Sequence, residues 1–213
     1  MEILVHIPAC QEQAFYETPV SATRLAYTNR PLTTIGVRIP TPAFLREMGP
    51  AFQLARVGKA VLETLNENPC LRVSLVNGKF IQAVGTTILI TGRDKANENT
   101  VVATWDFGEN YLTAFRRLNE ARKIFTLSPL VAAEYLLSAL KPNLPPPQCL
   151  ISNVMELSEC EPDMGLGGCS ANCPIAMAIG HEKINITFDH RIFDWNPHEI
   201  TFVKVIRKHL EVQ

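Results

Sequence analysis

Residues 186–194, I-T-F-D-H-R-I-F-D, place the tightest constraint on what this chain can fold into. Ile184, Ile186 and Phe188 alternate with Asn185 and Thr187, the period-two pattern of a half-buried strand. His190 stands where that strand runs out, and Asp194 follows four residues later. Asn196 as N-cap, Pro197 at the first helical position and Glu199 at the capping-box position then predict a helix start. A histidine between a strand and a capped helix is held by both, and a catalytic base needs little freedom. The plainer reading of the same residues is a histidine satisfied at a strand end beside an ordinary helix-start aspartate.

The preceding chain alternates strands with helices. Glu2 to Ile7 reads as a short strand, and Ser21 to Leu25 as the start of a short helix with Ser21 or Thr23 capping. Thr33 to Pro40 is a strand with Ile35, Val37 and Ile39 on one face. Thr41-Pro42 caps a short helix that stops at Gly49-Pro50. In Phe52 to Glu67, Leu54, Val57, Val61 and Leu65 fall at helical spacing, and Asn68-Pro69 ends the helix. Leu71 to Val76 and Lys79 to Val84 form a hairpin about Asn77-Gly78, the preferred two-residue turn. Thr86 to Thr91 continues as strand, and Thr100 to Trp105 is another. Helices are predicted over Tyr111 to Ile124 and from Ser128-Pro129 to about Leu140. The loop N-L-P-P-P-Q, residues 143–148, is too short to divide two domains. Strands follow at Cys149 to Met155 and Ile175 to Gly180, with a turn at His181 to Lys183 leading into the strand before His190.

The composition excludes several classes. A net charge of −1 gives no reason to expect nucleic acid or an anionic membrane surface as a partner. No apolar run reaches the length of a membrane span, and the first residues lack the pattern of an export signal, so a cytoplasmic protein is expected. The six cysteines are then expected to be free thiols. Cys160, Cys169, Cys173 and His181 match no common zinc spacing, and no metal is expected. There is no P-loop, no dinucleotide glycine fingerprint and no G-x-S-x-G elbow.

The F-D-H-R stretch with its His-x-x-x-Asp spacing resembles the signature of the chloramphenicol acetyltransferase and 2-oxo-acid dehydrogenase E2 acyltransferase superfamily, closest to the E2 catalytic domain. A second region agrees: Ile151-Ser152-Asn153 followed by Gly165-Leu166-Gly167-Gly168 resembles the family's serine strand and glycine-rich turn. A third, the helix and strand around residues 54–75, resembles a helix of the same domain. The resemblance implies an α/β two-layer sandwich, a mixed β-sheet with helices packed on one side, as a single domain over 1–213 with residues 1–20 as a possible N-terminal arm. It implies an acyltransferase using acyl-coenzyme A or a carrier-bound thioester, assembled as a homotrimer. By resemblance His190 is the general base, Ser152 the hydroxyl that binds the oxyanion, and Asp194 a structural aspartate paired with an arginine, for which Arg24 is the candidate. Asn153 is a weaker candidate that otherwise holds the strand's end.

Three features depart from the family. Trp195 replaces the usual glycine after the aspartate and either fills part of the substrate tunnel or packs against a neighbour. The lipoyl and subunit-binding domains of a complete E2 are not seen in this sequence. Asp189 precedes His190 where chloramphenicol enzymes have a second histidine. The alternatives are a non-catalytic structural or interaction protein on the same fold, and a natural-product tailoring enzyme that uses His190 for another acid–base step.

Overall fold

A computed structural model describes residues 15–17, 34–76, 79–83, 86–93, 100–106, 148–155, 173–193 and 195–211. The helices expected between Tyr111 and Leu140, the strand at Glu2, the segment bearing Arg24, the glycine-rich stretch at 165–168 and Asp194 lie outside the described residues.

The strands are β1 (Phe15–Glu17), β2 (Thr34–Pro40), β3 (Val73–Val76), β4 (Lys79–Ala83), β5 (Thr87–Arg93), β6 (Thr100–Asp106), β7 (Cys149–Asn153), β8 (Ile175–Ile179) and β9 (Lys183–Asp189). The helices are α1 (Ala43–Arg46), α2 (Pro50–Glu67) and α3 (Ile200–Glu211), the last preceded by a wide π-type turn over Trp195–Glu199. Six strands form one sheet in the order β2-β9-β8-β7-β5-β6, and β1-β4-β3 form a second. The large sheet is mixed: β5, β7 and β8 run parallel, while β9, β2 and β6 pair antiparallel with their neighbours. β3 and β4 form the expected hairpin, with Val76 opposite Lys79. The strand expected next, β5, forms in the large sheet.

Register explains the core. Ile35, Val37 and Ile39 of β2 stand opposite Phe188, Ile186 and Ile184 of β9. These face Ile175, Met177 and Ile179 of β8, which face Cys149, Ile151 and Asn153 of β7. Directly paired residues point to the same side of a sheet, so these rows make one nearly unbroken apolar layer. Helix α2 packs on β5 and β7, and α3 packs on α2. Phe202 of α3 meets Phe188 edge-on at 5.5 Å, and Phe193 meets it edge-on at 6.2 Å. The architecture is a mixed β-sheet with helices packed on one side.

Local chemistry sets the helix ends. Pro50 occupies the first turn of α2, where its missing N–H costs nothing. Pro69 excludes Asn68 from helical geometry and ends it. Within α2 the buried set is wider than one stripe: Gln53, Ala60 and Thr64 are enclosed along with Leu54, Val57, Val61 and Leu65. The buried Thr64 hydroxyl is satisfied by donating to the Ala60 carbonyl at 2.7 Å. Gln53 Nε2 donates to the carbonyls of Leu45 and Met48 at the end of α1, adding a side-chain donor to Leu45 O, which also accepts from Met48 N at 3.2 Å.

Three expectations are corrected. β9 is enclosed on both faces, since Asn185, Thr187 and Asp189 are as buried as the apolar residues between them. Thr41 does not cap α1; its hydroxyl donates to Gly180 O and its N–H to Glu182 O, both at 2.8 Å, fastening the end of β2 to the β8–β9 turn. Asn196 is not an N-cap, because the winding already includes Trp195–Glu199 before α3 begins. Among the described residues no helix is long and apolar enough to cross a membrane.

The edge-to-face contacts of Phe188 give a direct test. Phe188→Ala should lower stability by about 3–5 kcal/mol, because a large aromatic is removed from a filled core. A urea titration should show a lower midpoint with an unchanged slope.

Candidate active site

The site is built from the end of β9. The strand is hydrogen-bonded to β2 on one edge and β8 on the other, and Asp189 N donates to Pro174 O at 2.8 Å. The Asp189 carbonyl then accepts from Ile192 N at 2.9 Å and Phe193 N at 3.1 Å, which coils the chain at once after the strand. Ile192 and Phe193 bury their side chains and hold that coil to the core. His190 is the first residue of the turn, so its backbone is fixed by a strand behind it and a closed turn ahead.

The turn holds a charge pair. The Asp189 carboxylate is fully buried and the Arg191 side chain only 11% exposed. Arg191 Nε donates to Oδ1 at 3.0 Å, Nη2 donates to Oδ2 at 2.7 Å, and the Arg191 backbone N–H donates to Oδ1 at 3.0 Å. Arg191 is held above the ordinary guanidinium value by the hydrogen bond to Asp189, with the carboxylate's charge adding and burial opposing. A planar fork meeting a carboxylate in this way has a defined geometry as well as an attraction.

The His190 side chain is 34% exposed, whereas the Glu199 side chain facing it is fully buried. His190 Nδ1 lies 3.3 Å from Glu199 Oε1. Glu199 therefore meets the candidate base, a partner that its capping-box position did not suggest.

The other candidates lie elsewhere. Ser152 sits on β7 between Thr91 of β5 and Ala178 of β8, and is partly buried. Asn153 Nδ2 donates to Gln53 Oε1 at 2.6 Å, and its Oδ1 accepts from Met155 N at 3.0 Å. One end of that amide ties the strand end to α2 and the other closes the turn that follows the strand. Trp195 opens the wide turn. Ala178 stands opposite both Ser152 and Asn185, and His190 lies beyond Asn185 toward the other end of β7. With strands about 4.8 Å apart and a rise of about 3.3 Å per residue, Ser152 and His190 are separated by roughly 18 Å within one copy. One copy of the chain does not bring them together.

No protein-family model and no curated protein matches the chain. Solved structures do. A probable dihydrolipoamide acetyltransferase from Listeria monocytogenes superposes with a TM-score of 0.58 at 14% identity, over 92% of this chain and 94% of that one. A chloramphenicol acetyltransferase gives 0.57 at 16% identity, over 89% and 94%. The Azotobacter vinelandii dihydrolipoamide acetyltransferase gives 0.55 at 14% identity, over 92% and 91%; that structure belongs to an investigation of the roles of a serine, a histidine and an asparagine in its catalytic mechanism. The fold is chloramphenicol acetyltransferase-like. At these identities the likeness is one of architecture. Within this fold, sequence reasoning missed Glu199, the Asp189–Arg191 pair and Gln53. The D-x-R spacing was the one available signal, since a tight turn lets residues two apart share a face.

The buried pair makes a prediction. Arg191→Leu should cost about 3–5 kcal/mol, because it leaves the Asp189 carboxylate buried without its fork. Adding Asp189→Leu should recover a large part of that loss, since an apolar pair needs no charge partner. Chemical denaturation of the two variants checks both; a double variant as unstable as the single one would contradict the desolvation account.

Proposed function

We propose that this chain is an acyltransferase that moves an acyl group from a thioester, of coenzyme A or a carrier thiol, directly to an acceptor thiol, hydroxyl or amine. The observation that carries this reading is His190: a partly exposed imidazole at the end of a strand paired on both edges in a chloramphenicol acetyltransferase-like fold. In this reading His190 takes a proton from the acceptor while the acceptor's electron pair attacks the thioester carbonyl. The Ser152 hydroxyl donates to the oxyanion that develops there. The oxyanion then collapses and expels the donor's thiolate. Both thiol-bearing partners are substrates. Asp194 and Arg24 are proposed as a supporting ion pair, and Trp195 as a wall of the substrate channel. Asn153 is given the supporting role of securing the Ser152 strand, because its amide is held by Gln53 and the Met155 N–H.

The separation of Ser152 from His190 supports an assembly in which Ser152 of one copy faces His190 of the next. Closed cyclic association, a homotrimer in this reading, repeats that junction with nothing left over.

His190→Ala should lower transfer from acyl-coenzyme A donors by about 10²–10⁴ without unfolding the chain, because the residue lies in a turn outside the core. Transfer at the wild-type rate in that variant rules out the base assignment. A pure interaction protein predicts instead that no acyl donor is turned over by the wild type.

The shared site has its own test. Ser152→Ala and His190→Ala, each nearly inactive, should recover activity when unfolded together and refolded as mixed assemblies. Random mixing gives about one intact interface in four. Mixed assemblies verified by mass spectrometry that stay inactive contradict the shared site.

A further inference from the structure

A neutral imidazole accepts a proton at one nitrogen only while the other carries the hydrogen. Something must therefore decide which nitrogen of His190 is which. An ionised carboxylate can only accept. Glu199 Oε1 lies 3.3 Å from Nδ1, and the Glu199 side chain is fully enclosed. Asp189, next to His190 in sequence, already has both oxygens on Arg191. Among the described residues Glu199 is thus the carboxylate that meets this ring.

The backbone explains why a residue nine positions on can do this. The chain coils after β9, then winds through the wide turn Trp195–Glu199 before α3 begins. One extra residue in a helical turn rotates the face that follows, and such turns occur frequently at functional sites. Here Pro197 is exposed and Glu199, two residues later, is buried against His190. Burying a carboxylate is costly unless it is partnered, so its place in this turn calls for a purpose other than helix capping.

We infer that Glu199 is a positioning residue for His190: its carboxylate accepts from Nδ1–H, fixes the tautomer that leaves the lone pair on Nε2, and steadies the imidazolium formed when Nε2 takes the acceptor's proton. The inference rests on the reading of His190 as the base. No proton passes to Glu199; it moves from the acceptor to Nε2 and from there to the departing thiolate.

The test reads the tautomer directly. The whole protein, labelled with ¹⁵N-histidine, is studied by long-range ¹H–¹⁵N correlation about two pH units above the ordinary histidine pKa of about 6.5. The His190 signals are identified by their loss in His190→Asn. The wild type should show Nδ1 protonated and Nε2 bare. In Glu199→Met, similar in volume and without a carboxylate, the hydrogen should redistribute toward Nε2. In that variant kcat should fall at least ~10-fold while KM for the donor stays within about twofold, as expected when only the orientation of the base is disturbed. Hydrogen on Nε2 of wild-type His190 overturns the inference whether or not Glu199→Met folds. So does a Glu199→Met protein that keeps the Nδ1–H tautomer. A His190→Ala variant with full activity would instead overturn the base reading and leave the tautomer result standing, so the two failures are distinguishable.

Discussion

Hydrogen bonding of β9 along both edges, to β2 and to β8, is the constraint on which the rest depends. A strand paired on both sides cannot shift register without moving every side chain to the wrong face. Ile184, Ile186 and Phe188 are thereby committed to the helical layer, where Phe202 closes over Phe188. The same pairing carries the backbone of Asp189 to Pro174 and lets the Asp189 carbonyl close the next turn. His190 inherits its position from these bonds, with no further structure needed to place its backbone.

The end of β9 concentrates charge in a place where charge is expensive. Asp189 and Glu199 are both fully buried carboxylates, and they are handled differently. Asp189 is matched by a guanidinium fork and a backbone N–H, which makes it a rigid part of the turn. Glu199 faces an imidazole that is partly exposed. A guanidinium never gives up its proton under ordinary conditions, whereas an imidazole does. One pairing is therefore suited to holding a shape and the other to exchange.

How much of this was legible in the sequence depended on how local each signal was. The strand around Ile186, the antiparallel pairing of β3 with β4 and the proline-bounded helix α2 rest on residues close in sequence, and they appear as expected. The enclosure of Asn185 and Thr187 was not legible, because a period of two tells which residues share a side and says nothing of what covers it. Glu199 read as a helix cap because it sits three residues after Asn196. The wide turn alters that geometry, and no residue pattern announced it. Thr41 had the right neighbours for a cap, and found a better partner at Gly180, 139 residues away. Ser152 and His190 could each be picked out by motif. Their placement at opposite ends of the sheet follows only from strand order.

The separation of roughly 18 Å between Ser152 and His190 makes an isolated copy of this chain half of the proposed site. For such a protein the activity of each molecule depends on how many others surround it, rising with concentration until association is complete. A substitution remote from both residues can then silence the protein by loosening the contact between copies, with each folded chain left intact. Under the proposed assembly, dose becomes part of the chemistry: halving the supply of the chain near the association midpoint removes more than half of the working sites.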